Sequence, residues 1–180
     1  MLIVFGFQAP IRAFIRLLGH EYIVEIRNAS LDDLDILWEF EKQHRRLDVK
    51  QLGEELGDFY NYGFGEKDKL EYFSELKEIL SRDDRLILLA EEEKVAVGFI
   101  IGEIKDLFRS KKGHIAELFI SDGHRSKGYG QRLVEKLLFW FRDNNIVYVN
   151  VGVLYNNPQA IKFYEKTGFK PFSLKMTLKL

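Results

Sequence analysis

The chain has 180 residues, 46% of them hydrophobic, and its 27 basic and 28 acidic side chains leave a net charge of −1. That length supports one domain with a sizeable core rather than two. Near-neutral charge argues for neither nucleic acid nor an anionic membrane as partner, and the absence of cysteine excludes disulfide scaffolds, thiolate zinc sites and cysteine nucleophiles. A cytoplasmic location is the simpler expectation.

The opening MLIVFGFQAPIRAFIRLLGH is apolar but broken by Gly6, Gln8 and Pro10, has no basic leading region, and is too interrupted to span a bilayer. Pro10 to Leu18 reads as a short amphipathic helix within an extension, residues 1–21. A single domain is expected over 22–180. YIVEIRNA is its first strand, and Ser30 with Asp33 resembles a capping signal for a helix over 31–47. Residues 53–67, rich in glycine, acids and aromatics, predict an irregular loop before a helix over 69–81. RLILLAEEE and KVAVGFIIGEI then read as an antiparallel hairpin, and GHIAELFIS as a further strand.

Beyond Ile120 the order is glycine turn, helix (Gln131 to Arg142), strand (146–153), helix (Pro158 to Lys166) and the closing run GFKPFSLKMTLKL. Strands joined by a crossover helix run parallel, so the expected class is α/β or α+β, a mixed sheet with helices on both faces. Charge divides along the chain. Between Lys50 and Glu93 acids outnumber bases roughly two to one, and after Lys105 the ratio reverses. This suits a cationic ligand near the middle and an anionic one in the C-terminal half, although solvated surface charge explains any single residue equally well.

The turn RSKGYG, Arg125 to Gly130, enters a helix. A helix start offers free N–H groups and partial positive charge, Gly128 and Gly130 permit close backbone approach, and Arg125 and Lys127 add charge. The spacing matches neither a Walker loop nor a dinucleotide fingerprint. Two glycines at a helix start are also common as pure structure. Downstream, NNPQAIKFYEKTGF spaces Asn157, Ala160 and Tyr164 along one helical stripe and ends in Gly168 and Phe169. Taken alone, that is equally an N-capped helix with a core tyrosine.

Together and in order, HIAELFI, RSKGYG and the Asn-x-x-Ala-x-x-x-Tyr helix ending in Gly-Phe resemble the GNAT superfamily of N-acetyltransferases from about Tyr22 to the C-terminus. The resemblance implies a mostly antiparallel mixed sheet whose middle strands splay apart. It also implies acetyl-CoA as co-substrate, without a metal. The turn Arg125, Ser126, Lys127, Gly128, Tyr129 and Gly130 would hold the pyrophosphate, and Leu118, Phe119 and Ile120 would pair with the pantetheine arm. Phe119 or Ile120 would supply an N–H to the thioester oxygen. Asn157 and Ala160 would lie along the cofactor, and Tyr164 would protonate the leaving thiolate.

The general base is less constrained. Glu117 is the leading candidate, although strand alternation leaves its direction open; His114 reads as a surface histidine, and Gly152 stands where some relatives carry a glutamate. Glu54, Glu55, Asp58, Tyr60, Tyr62 and Phe64 suit an acceptor wall for a cationic amine. The expected reaction is acetyl transfer to a primary amine of a small molecule or a protein. A noncatalytic acyl-CoA sensor uses the same turn and stays open. SLKMTLKL is apolar enough to pair two copies as a homodimer, and a monomer is equally compatible.

Overall fold

The computed structural model describes residues 24–179 except 61 and 109, together with Arg16–Leu17 and His20–Glu21. The helix expected over 10–18 lies mostly outside the described residues. Its described end, Arg16–Leu17, is instead a short strand (β1) paired antiparallel with His20–Glu21 (β2).

The main sheet has five strands in the order β3, β4, β5, β6, β7: Val24–Asn28, Arg85–Glu92, Val95–Leu107, Ser110–Ile120 and Val149–Val151. All neighbours are antiparallel except β6 and β7, which run parallel as a crossover requires. β4 to β6 form a long meander in which β-branched and aromatic side chains alternate between two cores. On one face Leu37, Trp38 and Phe40 of α1 (Leu34–Leu56) and Leu76 of α2 (Glu66–Leu80) pack on Ile87, Leu89, Phe99 and Phe119. On the other, Leu133, Leu137 and Phe141 of α3 (Tyr129–Asp143) pack on Leu88, Ile100 and Ile115, joined by Tyr164 of α4 (Pro158–Lys166).

α3 packs directly against the sheet where it crosses two glycines. A Cβ on Gly102 would sit 2.4 Å from Leu137 Cδ1, and one on Gly113 would sit 2.9 Å from the Phe141 ring. The start of α1 follows the sequence signal: Ser30 Oγ accepts from Asp32 N, and Ser30 N donates to Asp33. Its end does not. Helix continues past the expected stop at residue 47 to Leu56, broken only at Gly53, whose φ of 69° and ψ of −166° no helix contains. The expected loop is therefore shorter, and α1 reaches over the C-terminal half of the chain.

The expected strand over 146–153 is reduced to Val149–Val151, which pairs only with Gly113, His114 and Ile115. Beyond Ile115, β6 runs on to Ile120 beside β5 while the chain after Val151 leaves it, and the two middle strands splay. The closing run 170–179 forms no strand, and its Phe172, Leu174, Met176 and Leu178 are exposed.

Candidate active site

The register of β6 decides where its side chains point. Ile101 pairs with Glu117 and Gly102 with Ile115, so Ala116 is an extra residue in the strand, a β-bulge. A bulge advances the alternation by one, so Ile115 packs under α3 while Phe119 packs under α1 and α2. Glu117 shares the Phe119 face. Its carboxyl therefore meets Glu41 and Arg45 of α1 and Tyr72 and Glu75 of α2.

This is a crowded acidic cluster. One ligand atom each of Glu41, His44 and Glu117 lies within 4.8 Å of the others. Arg45 Nε donates to Glu41 Oε1, while Glu41 Oε2, Glu117 Oε2 and the Tyr72 hydroxyl are sealed from solvent with no hydrogen-bond partner among the described residues. Glu41 and Tyr72 are buried, whereas Glu117 keeps some accessible surface even though its Oε2 has none. The enclosure of the carboxyl is what governs its charge. Burial first, then the charge of Glu41, push Glu117 well above the ordinary glutamate range, with Arg45 pulling weakly the other way.

The same bulge sets the backbone. Ser121 N donates to Val97 O at 2.9 Å, and the Phe119 carbonyl lies against Gly98, so the polar groups of both residues face β5. By strand alternation the N–H groups of Leu118 and Ile120 face the splay. Of the two residues expected to reach the thioester oxygen, Ile120 has the direction for it and Phe119 does not. Phe119 contributes its ring, 5.6 Å from Phe40 and 5.9 Å from His44.

The turn has the backbone of an anion cradle. Ser126 (φ 63°) and Gly128 (φ 85°) take left-handed conformations, and Gly128 stands immediately before the first turn of α3. Gly130 needs no special φ, and a Cβ there would meet Phe163 at 3.5 Å and Ile120 at 3.8 Å, between α4 and β6. Side chains brace the turn from below. The Tyr129 hydroxyl donates to Glu92 at 2.7 Å, His124 Nε2 lies 3.1 Å from the same carboxylate and Lys127 Nζ 3.5 Å from it. Tyr129 therefore offers a ligand only its backbone.

Arg125 turns toward α1: Nε donates to Ile120 O at 3.0 Å, Nη1 lies 3.1 Å from Asp122, and the guanidinium stands over Phe119. With Arg46 and Lys50 of α1 it lines a cleft of about 240 Å³. Neither α1 residue was singled out by sequence.

Asn157 is the N-cap of α4, its Oδ1 accepting from Ala160 N at 3.0 Å, and its Nδ2 donates to Gln51 Oε1 at 3.2 Å. Asn156 also donates to Gln51 O, at 2.6 Å. Asn157 thus ties the end of α1 to the start of α4. Tyr164, about two turns along α4 from there, is buried between Phe163 and Phe169, and burial holds its phenol well above the usual tyrosine range. His114 is a surface residue bonded to Asn150 at 2.7 Å. Tyr62 of the acceptor-side loop is held by Asp48 at 3.1 Å and stacks on Tyr60, while the Arg45 guanidinium lies 5.2 Å over its ring.

Solved structures share this fold. The aminoglycoside N-acetyltransferase AAC(6')-Iy in complex with CoA superposes with a TM-score of 0.70 at 17% identity, covering 91% of this chain and 99% of that one. Glucosamine-6-phosphate N-acetyltransferase from Arabidopsis thaliana gives 0.61 at 23%, covering 87% and 97%. The fold is that of the acetyltransferases. In sequence, an uncharacterized N-acetyltransferase of Archaeoglobus fulgidus is 32% identical over 145 residues, 78% of this chain and 89% of its own. Residues 49–169 match the acetyltransferase (GNAT) family, and the chain belongs to it. Acetyl-CoA is the acyl donor that membership implies. Among the described residues, no helix is long and apolar enough to cross a membrane.

Proposed function

We propose that the protein transfers the acetyl group of acetyl-CoA to a primary amine that enters between α1, α2 and β6. The observation that carries this reading is the bulge at Ala116, which brings the Glu117 carboxyl to the α1 side immediately before the splayed backbone of Leu118 to Ile120. A base on one side of the strand and inward N–H groups at its edge are what amide formation requires.

In this reading the N–H groups of residues 126–130 hold the pyrophosphate, with Arg46 and Lys50 adding charge from α1. Leu118 and Ile120 pair with the pantetheine arm, and the Ile120 N–H holds the negative charge that develops on the carbonyl oxygen. Glu117 removes a proton from the attacking ammonium. Tyr164, kept protonated by burial, gives its proton to the leaving sulfur. Asn157 and Ala160 fix the start of α4 and hence the position of Tyr164.

The test is thiol release on mixing the protein and acetyl-CoA with a panel of primary amines and amino-terminal peptides. Mass spectrometry of a treated cell extract then identifies the acceptor. The reading predicts acetylated amine in equimolar amount with free CoA. Tight CoA binding without release across the whole panel would overturn it in favour of a noncatalytic acyl-CoA sensor.

A further inference from the structure

The Glu117 base has a partner that the acetyl-transfer reading leaves unused. Glu41 is 6% exposed, and its Oε2, like that of Glu117, has no hydrogen-bond partner among the described residues. Its other oxygen is taken by Arg45, which is itself held by the Gly63 carbonyl at 2.8 Å and by the rings of Trp38, Tyr62 and Tyr72. Arg45 thus orients Glu41 without reaching Glu117. Two enclosed carboxyls with free oxygens, on elements 76 positions apart in sequence, face one another.

We propose that Glu41 and Glu117 act as one base: the acceptor ammonium seats between their two unpartnered oxygens, gives one proton to Glu117, and the pair holds that proton jointly. The inference rests on the acetyl-transfer reading for the amine, and on the geometry above for the pair. The groups facing the pair are Arg45 and His44 from α1 and Tyr72 and Glu75 from α2, with Ile101 of β5 opposite Glu117. Glu75 adds a third acid to the one guanidinium. A buried pair of this kind lacks a cation when both members are ionised, and an ammonium or a proton supplies it. The acceptor class that follows is an alkylamine carrying its charge at the reacting nitrogen.

The proton count closes. The ammonium loses one proton to Glu117, and the neutral nitrogen forms the bond to the acetyl carbon as the carbon–sulfur bond breaks. Tyr164 protonates the sulfur, and the second proton lost from nitrogen restores the phenol. One proton leaves in all, the one the pair received. Unprotonated pair and seated ammonium are thus the starting state, and singly protonated pair with neutral amine the next.

Two measurements test this, one of them independent of activity. Infrared titration of the native protein should show a protonated carboxyl persisting at neutral pH. That signal should be absent in Glu117→Gln, shifted to a lower midpoint in Glu41→Gln, and restored toward the native midpoint in Glu41→Asp. On the best amine of the panel, Glu41→Gln should raise KM at least about tenfold and shift the acidic limb of kcat/KM in the same direction as the infrared midpoint. A merely structural Glu41 would move neither limb nor midpoint. No protonated carboxyl at neutral pH in the native protein, or an unchanged midpoint in Glu41→Gln, overturns the pair. An infrared titration as expected, with no amine acetylated, upholds the pair and sinks the transferase reading instead.

Discussion

Ile115 and Glu117 lie two positions apart on one strand and face opposite sides of the sheet, because Ala116 bulges between them. Without the bulge, alternation would put the carboxyl on the same side as Ile115, under α3. The site thus depends on a single irregular residue, and the cost of that placement is a buried acid.

The first prediction follows from that cost. Glu117 is held well above its ordinary value of 4.5, chiefly by burial. As pH rises past that value the unfolded chain releases the proton while the folded chain keeps it. A raised acid therefore lowers stability progressively up to its folded pKa, and contributes no loss below the unfolded one. Glu117→Gln should remove the penalty: urea unfolding would show the variant equal to native near pH 4 and more stable at pH 8. Acetyl transfer should fall by about 10²-fold or more, as loss of the proposed general base entails. A variant less stable than native at pH 8 would contradict the buried-acid account.

Tyr164→Phe separates chemistry from packing. The phenyl ring keeps the edge contacts with Phe163 at 5.0 Å and Phe169 at 5.4 Å, so the melting temperature should stay close to native. Removal of the proposed proton donor should reduce kcat by about 10²-fold, with KM for the amine unchanged. Stopped-flow measurement of thiol release isolates that step. A normal single-turnover rate would make Tyr164 a core residue only.

How much of this was legible in sequence depended on whether the cause was local. The turn and the last helix were readable because their backbone needs are written in place: Gly128 and Gly168 at positive φ, Asn157 capping Ala160 and Pro158 opening the helix. Order and type of the central elements followed from apolar periodicity. The bulge at Ala116 did not, because it is a property of the pairing with β5. Nothing local marks Glu41, because it is tertiary packing that sets it beside Glu117. Glu92, which braces His124, Lys127 and Tyr129 beneath the turn, was hidden for the same reason. The early end of β7 and the long α1 also reflect contacts, between Gln51 and Asn157 above all, that no short window contains.

The two turn glycines should respond differently to alanine. At Gly128 the left-handed backbone itself resists a side chain, costing about 1–2 kcal/mol, so Gly128→Ala should lose stability and CoA affinity together. At Gly130 an added methyl makes only ordinary contacts, with Phe163 and Ile120, and a helix start favours alanine over glycine. Gly130→Ala should fold at least as stably as native, yet narrow the gap between α4 and β6. CoA affinity should fall about tenfold, or roughly 1.4 kcal/mol. Isothermal titration with CoA beside thermal unfolding reads both, and unchanged affinity in Gly130→Ala would place the pantetheine arm elsewhere.

The start of α1, which carries Glu41, hangs on Asp33. Arg27 of β3 donates to both of its oxygens, at 2.7 and 2.8 Å, and its Nε reaches Glu91 of β4 at 2.8 Å. Asp33 also accepts from Ser30 N at 2.8 Å, so one carboxylate caps the helix and anchors it to two strands. The Arg27 hydrogen bond, ahead of the Ser30 bonds, holds its pKa below the usual carboxylate range. For a depressed acid the sign is the reverse of that for Glu117: the stabilisation is present above the unfolded value of 3.8 and lost as pH falls through the folded one. Asp33→Asn should therefore cost about 1–2 kcal/mol at pH 7. The difference from native should shrink as the pH is lowered toward about 2.5, where the unfolded carboxyl is protonated. Urea unfolding at the two pH values measures it, and a pH-independent difference would show that Asp33 acts by shape alone.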